Sequence, residues 1–402
     1  AIGQKSLFTN TTGASNVAVG YQALKDNTTG GDNVAIGELA MENNTTGIRN
    51  TAMGSSALFT KTTGNDNVAI GNAALYANTT ASNNTAVGGN ALTANTTGTQ
   101  NVAVGALALD ANTTTSDSVA VGYAALSAAT IGSNTAVGSE AMQFTTTGAN
   151  NVGVGLQALR TNTTGANNTA TGSGALSANT TGAGNVGVGT NALAANTTVD
   201  NNTAVGFDSL ASNTTGTPNT AVGKGALNAN TTGSNNTGLG RAALGNNTTA
   251  DSNTAVGHYA LLTNTTGASN TAVGYRVLTA NTTGADNTAV GKGALDANTT
   301  GADNVALGRD ALGANTTAGN NVGLGGTSLS ANTTGTRNIA VGYAALSGNT
   351  AANDNVAIGH GTLGGTNTGA YNVAVGNYAL DANTTGNYNT ASGYGALGAN
   401  TT

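Results

Sequence analysis

One pattern of hydrophobic and polar positions governs this chain: an Asn, a β-branched residue, Ala or Gly, an aliphatic residue and then Gly. With Asn16 as position 1, equivalent Asn residues follow at 33, 50, 67, 84 and 101, and Ser118 takes the next place. One residue is then missing, and Asn134 resumes a register that runs to Asn389, giving 23 anchors, 22 of them Asn. The consensus is N-(T/V)-A-V-G-x-x-A-L-x-A-N-T-T-G-x-x, a 17-residue unit. Periods near 20 residues are the signature of stacked coils.

Position 2 is β-branched in all 23 units, position 3 is always Ala or Gly, and position 4 is aliphatic except at Thr171 and Ser392. Position 5 is always Gly. This predicts a short strand over positions 1 to 4 that ends at a corner only Gly tolerates. Positions 8 and 9 read Ala-Leu almost throughout, with Met41 and Met142 replacing Leu, and positions 10 to 14 read as a second extended leg. Gly, Asn, Thr and Val dominate, and all are poor helix formers. The fold expected is all-β, a single parallel β-solenoid of about 24 coils stacked ~4.8 Å apart, hence a rod of about 115 Å. Side chains alternate along a strand, so positions 2 and 4 share one face and position 3 takes the other. Both faces lack charge and both call for cover. The second leg supplies one cover, and another copy of the chain is the simplest source of the second.

The Asn columns at positions 1 (Asn16, Asn33, Asn50, Asn67, Asn84 and onward) and 12 read as ladders of stacked amides. Position 12 is Asn in 19 of 23 units, the exceptions being Lys61, Ala129, Thr145 and Thr366. The missing residue falls near 127–134, which marks the expected irregular coil. Otherwise residues 1–402 read as one continuous array, expected to be a section of something longer, because its first and last coils have no polar capping unit.

Composition narrows the function. There are 61 Gly, one Pro, no Cys, no Trp and 28 charged residues, with a net charge of −6. No apolar run is long enough to span a membrane. The acidic balance argues against nucleic-acid binding, and the lack of Cys removes disulfides, thiolate chemistry and Cys-based zinc sites.

The strand motif resembles the head repeats of trimeric autotransporter adhesins, the YadA-like group, whose signature reads N-S-V-A-I-G. The most similar segments are Asp117-Ser118-Val119-Ala120-Val121-Gly122, Asp32-Asn33-Val34-Ala35-Ile36-Gly37 and Asp354-Asn355-Val356-Ala357-Ile358-Gly359. Similar repeats occur in phage fibres and bacterial surface proteins. The resemblance implies a left-handed β-roll, three chains around one axis, and adhesion to matrix or host surfaces. An extracellular, cell-surface or virion location goes with it.

Catalytic chemistry is not legible. His258 and His360 are the only histidines and stand six repeats apart, roughly 29 Å. Asp32, Asp66, Asp117, Asp286, Asp303 and Asp354 precede the anchor, but the Gly/Asp nonapeptide of calcium β-rolls is missing, so these read as turn residues. Glu38, Glu42 and Glu140 are the only Glu residues, which disfavours a polysaccharide-cleaving groove. No enzyme, cofactor or metal is expected. The densest chemistry is at position 6 over six consecutive coils: Lys224, Arg241, His258, Tyr275, Lys292 and Arg309, with Arg276 beside them. Stacked at ~4.8 Å, they read either as a solvated corner column or as a basic stripe about 25 Å long for an anionic polysaccharide or a membrane surface. Asn-Thr-Thr occurs 19 times, Asn10, Asn27, Asn95, Asn179 and Asn281 among them, and is both a turn element and a glycosylation sequon. The function expected is a non-enzymatic structural or adhesive fibre. Alternatives are a glycan-decorated filament subunit assembling end to end and, less favoured, an ice-binding solenoid, which requires two outward Thr per coil.

Overall fold

The computed structural model describes residues 1–60 and 63–402. Lys61, one of the position-12 exceptions, lies outside the described residues. The chain forms two compact units, 1–201 and 202–402. Each is a parallel β-solenoid. Among the described residues, unit 1 carries eleven three-residue strands, from β1 (Val17–Val19) to β11 (Val186–Val188), and unit 2 carries twelve, from β12 (Thr203–Val205) to β23 (Thr390–Ser392). Strands pair in parallel with identical repeat positions in register, as in Thr203↔Thr220 and Ala204↔Ala221. Where one residue is missing the pairing is Val119↔Thr135, so the strands keep register and the intervening loop absorbs the deletion.

The strand spans positions 2 to 4, and position 3 is the inward residue: Ala18, Ala120, Ala221 and Ala306 are fully buried. It must be small because the opposite leg lies directly against it. A Cβ on Gly187 would stand 3.3 Å from Leu176 Cγ and 3.2 Å from the Ala192 carbonyl oxygen. Leu at position 9 and Ala at position 8 complete the dry core. Positions 2 and 4 therefore face outward.

The second leg departs from the extended segment expected. No strand forms there among the described residues. Positions 6 to 11 are successive tight turns, with left-handed backbone at positions 7 and 9, as at Ala242 (φ 52°) and Leu244 (φ 53°). The alternation turns N–H groups along the stacking axis: Ala242 donates to the Lys224 carbonyl in the coil before, and Leu244 to the Ala260 carbonyl in the coil after, each at 3.0 Å. Each turn-forming coil thus bonds both neighbours without being a strand, and buried backbone groups stay satisfied.

Two Asn columns are buried along the stack. At position 12 the bond is amide to amide: Asn281 Nδ2 donates to Asn264 Oδ1 at 2.8 Å and to the Gly284 carbonyl at 2.9 Å. Position 1 differs. There the side-chain oxygen mainly accepts a backbone N–H from the next coil, as Asn33 Oδ1 accepts from Asn50 N at 2.9 Å, while the Asn33 amide donates to the Gly47 carbonyl at 2.8 Å. One position-15 carbonyl accepts from both columns: Gly30 O takes Asn16 Nδ2 at 2.8 Å and Asn27 Nδ2 at 2.9 Å.

The ladder breaks where the column residue changes. Ala129 offers no amide, Thr145 Oγ1 in the next coil is buried without a partner, and Asn112 Oδ1 in the coil before accepts from Thr115 Oγ1. At Thr366 a one-residue shift restores the column on one side only: Asn367 is buried and its Oδ1 accepts from Asn383 Nδ2 at 3.2 Å, while Asn349 Oδ1 in the coil before is buried without a partner.

Candidate functional site

The corner after position 5 exposes the position-6 side chains, because the glycine there turns the chain outward. In unit 2 the column runs Phe207, Lys224, Arg241, His258, Tyr275, Lys292, Arg309, all exposed except His258, which is half-buried. The structure places the six sequence-identified residues on this one face, together with position-7 neighbours that change their chemistry.

Lys224 Nζ stands 5.4 Å from the Phe207 ring centroid and the Arg241 guanidinium carbon 5.5 Å from that of Tyr259. Both lie within cation–π range, where a ring orients a cation without cancelling its charge. Lys224, Arg241 and Tyr259, with Asn228, Asn246 and Leu262, line a shallow open recess that has no carboxylate in its wall. A second recess, lined by Tyr275, Arg276, Lys292, Asp296 and Asp310, is zwitterionic. Arg276 approaches Asp296 and Arg309 approaches Asp310, each at 3.8 Å. The stripe is thus graded, cationic at its Lys224 end and partly neutralised beyond Tyr275. His258 sits between Tyr259, at 3.9 Å, and Tyr275, stacked nearly parallel at 5.5 Å. Its Nδ1 is buried with no partner, so the ring packs as a spacer within the column. Positions 7 and 10 supplied partners that position 6 alone did not reveal, Tyr259, Arg276 and Asp310 at position 7 and Asp296 at position 10, and the charged and aromatic residues at those positions were the available signal.

No family model matches the chain, and no curated protein matches it significantly.

The other sequence-identified residues have structural places. All six Asp residues before the anchor have φ between 57° and 62°. Asp and Asn adopt this left-handed conformation more readily than most residues. Two of them also bridge coils. Arg49 grips Asp66 at 2.6 and 2.8 Å, and Arg337 grips Asp354 at 2.7 and 2.8 Å. The guanidinium hydrogen bonds hold both carboxyls below the usual carboxylate range. Among the described residues, no group of three His, Asp or Glu side chains lies close enough to hold a metal, and no helix is long and apolar enough to cross a membrane.

In the sequons, Asn27, Asn95, Asn179 and Asn281 are fully buried, and Asn10 is half-buried. An Nδ2-linked sugar at the four buried sites would have to sit inside the folded coil. At position 13 the Thr hydroxyl donates to the next coil's carbonyl, as Thr282 Oγ1 does to Thr299 O at 3.1 Å. The position-14 Thr, such as Thr283, is exposed, whereas the position-13 Thr is half-buried in most coils and exposed in a few, such as Thr113, Thr214 and Thr384. Most coils thus turn one Thr fully outward, which does not make the two-wide array of an ice-binding face.

Proposed function

We propose that this chain is a non-enzymatic structural or adhesive fibre protein, extracellular, cell-surface or virion-borne, that self-associates through the outer strand face. The observation that carries this reading is the outward face of positions 2 and 4. Val17, Ile36, Met53, Ile70, Val137 and Val152 in unit 1 are each 37–47% exposed. Leu239, Leu307, Ile358 and Val375 continue the pattern in unit 2 at 40–50%. Isolated exposed apolar residues are ordinary, but a contiguous stripe marks an interface. At on the order of 100 Å² per rung, about eight rungs reach the ~800 Å² per partner of a stable interface. The occupant that matches a 17-residue period rung for rung is a second copy of the same chain. Three copies around one axis is the arrangement that the resemblance to the YadA-like adhesin heads implies.

Changing Val104, Val121 and Val137 to Asp puts three charges on this outer face without entering the coil interior. Light scattering should show an oligomer for the wild type and a smaller species for the triple variant, with the β signal in circular dichroism retained. A monomeric wild type would refute the self-association reading.

The basic stripe favours a second role, contact with an anionic polysaccharide. Two double variants separate its ends. Lys224→Ser with Arg241→Ser removes the charges of the carboxylate-free recess, and Arg276→Ser with Arg309→Ser removes the ion-paired ones. On a heparin column at low salt the first should elute earlier than the second, and the difference should shrink as salt shortens screening to about 8 Å. Equal retention of wild type and both variants would reduce the stripe to a decorated corner.

A further inference from the structure

The recess at the Lys224 end of the stripe owes its shape to missing side chains. Its floor is Gly225, Ala242 and Gly245, and a Cβ added to Gly225 would meet no atom within 4 Å. Position 7 carries a larger residue in most other coils, as at Leu39, Leu107 and Tyr259. Toward the next coil the recess ends at Tyr259 and Leu262, both half-buried. Its volume is about 240 Å³. That is short of the ~300–1,000 Å³ of pockets that enclose a drug-sized ligand, so the recess seats a single sugar ring and not a length of chain.

The two edges of the recess differ. Position 6 supplies Lys224 and Arg241, one coil apart, and positions 10 and 11 supply Asn228 and Asn246, all four exposed. The cations are unspent. Among the described residues neither forms an ion pair, whereas Arg276 and Arg309 farther along the stripe each approach an Asp. Between Asp208 and Asp286 the only carboxylate is Asp251. It lies on the turn between coils, where its Oδ1 accepts the Ser234 backbone N–H at 2.6 Å. Phe207 and Tyr259 steady the two cations from either side.

We propose that this recess binds one acidic pyranose unit of a polysaccharide, its carboxylate or sulfate group against Lys224 and Arg241 and its hydroxyls against Asn228 and Asn246. The proposal rests on the polysaccharide reading of the stripe and adds to it a seat for a single sugar. Arg presents a planar fork that pairs with two anionic oxygens at once, and Lys adds a mobile point charge. A side-chain amide both donates and accepts, as a sugar hydroxyl does. Cations on one edge and uncharged amides on the other therefore suit a ring that is charged on one side and hydroxylated on the other. They do not suit a nucleic-acid strand, whose bases need open ring faces along a basic groove. Tyr259 is engaged by Arg241 and His258 instead.

Isothermal titration calorimetry with trigalacturonate, sulfated maltotriose, neutral maltotriose and oligo(dT) tests this. The wild type should bind one or both acidic trisaccharides in preference to maltotriose and oligo(dT), and the tighter of the two names the acid group. Lys224→Ser with Arg241→Ser should lower that affinity at least about tenfold, the scale of a lost charged hydrogen bond. Two charge-neutral changes separate a seat from a charged stripe. Ala242→Leu fills the floor on a backbone (φ 52°) that Leu39 and Leu107 adopt at the same position, at 57° and 58°. It should weaken binding as far as the charge variant does, with the β signal in circular dichroism retained. Asn228→Ala with Asn246→Ala should weaken it about fivefold, the scale of a neutral hydrogen bond. If both charge-neutral variants bind like the wild type while the charge variant does not, the seat is overturned and the stripe stands. No binding of either acidic trisaccharide, equal binding of maltotriose, or binding of oligo(dT) alone would also overturn the seat, and retention on the heparin column then judges the stripe separately.

Discussion

Replacing Asn281 with Ala should destabilise the coils around it by about 2–5 kcal/mol, since each stranded buried polar group costs about 1–3 kcal/mol. The side chain is fully buried and makes three hydrogen bonds. It donates to Asn264 Oδ1 and to the Gly284 carbonyl, and its own Oδ1 accepts from Asn298 Nδ2 at 2.9 Å. Alanine leaves Asn264 Oδ1 without its donor and Asn298 Nδ2 without one acceptor, in places water does not reach. Because each coil contacts only its neighbours, the loss should be local. Amide hydrogen exchange should accelerate between about residues 264 and 298, with a lower denaturant midpoint for unit 2. Thr283→Ala, two residues away on the exposed column, should stay within about 0.5 kcal/mol. Similar exchange for the two variants would mean that the ladder is ornament and the apolar core carries the stack.

The second large effect is expected at the corner. Gly240 has φ +130°, and a Cβ there would stand 2.6 Å from the oxygen and 2.7 Å from the carbon of Gly257 in the next coil. Both atoms are backbone, so relief requires the two coils to separate and the strand bonds between them to lengthen. Gly240→Ala should cost about 1–3 kcal/mol in backbone strain and a further ~1–3 kcal/mol in overpacking. Gly225→Ala is the matched control, because Gly225 has φ +65° and nothing within 4 Å of its Cβ position. It should cost only the roughly 1–2 kcal/mol of a left-handed residue other than glycine, with no overpacking. Thermal unfolding of the two variants side by side checks this, and equal midpoints would remove the corner from the account of what holds the coils at their spacing.

Much of this could be read from the residues because each side chain in a stack of identical coils meets its own copy. Asn281 meets Asn264 and Asn298 for the same reason that Val205 meets Val222, so a column in the sequence is already a list of contacts. The invariant glycine, the small position 3, the Ala-Leu pair and the left-handed residue before the anchor follow from that rule. The stripe was legible as a column but not as a gradient. Its pairing with Tyr259, Asp296 and Asp310 depends on how side chains at positions 6, 7 and 10 lean toward one another between coils, which periodicity does not encode.

The sequence alone determined the period, the strand, the corner and the buried columns, since these depend only on residue type repeated at one spacing. The tertiary structure decided three further things. It chose position 3 as the inner face, because alternation names two faces without ranking them and only the closeness of the Leu-bearing leg selects Ala over Val. It turned the position-1 Asn toward the next coil's backbone N–H, a choice of partner that a column of identical residues leaves open. It also made the second leg a run of turns with Leu in left-handed backbone, as at Leu244 and Leu278. That conformation is intrinsically unfavourable for Leu by roughly 1–2 kcal/mol. It persists because it buries the side chain completely and aims the Leu N–H at the next coil's carbonyl, and both rewards exist only once the coils are stacked.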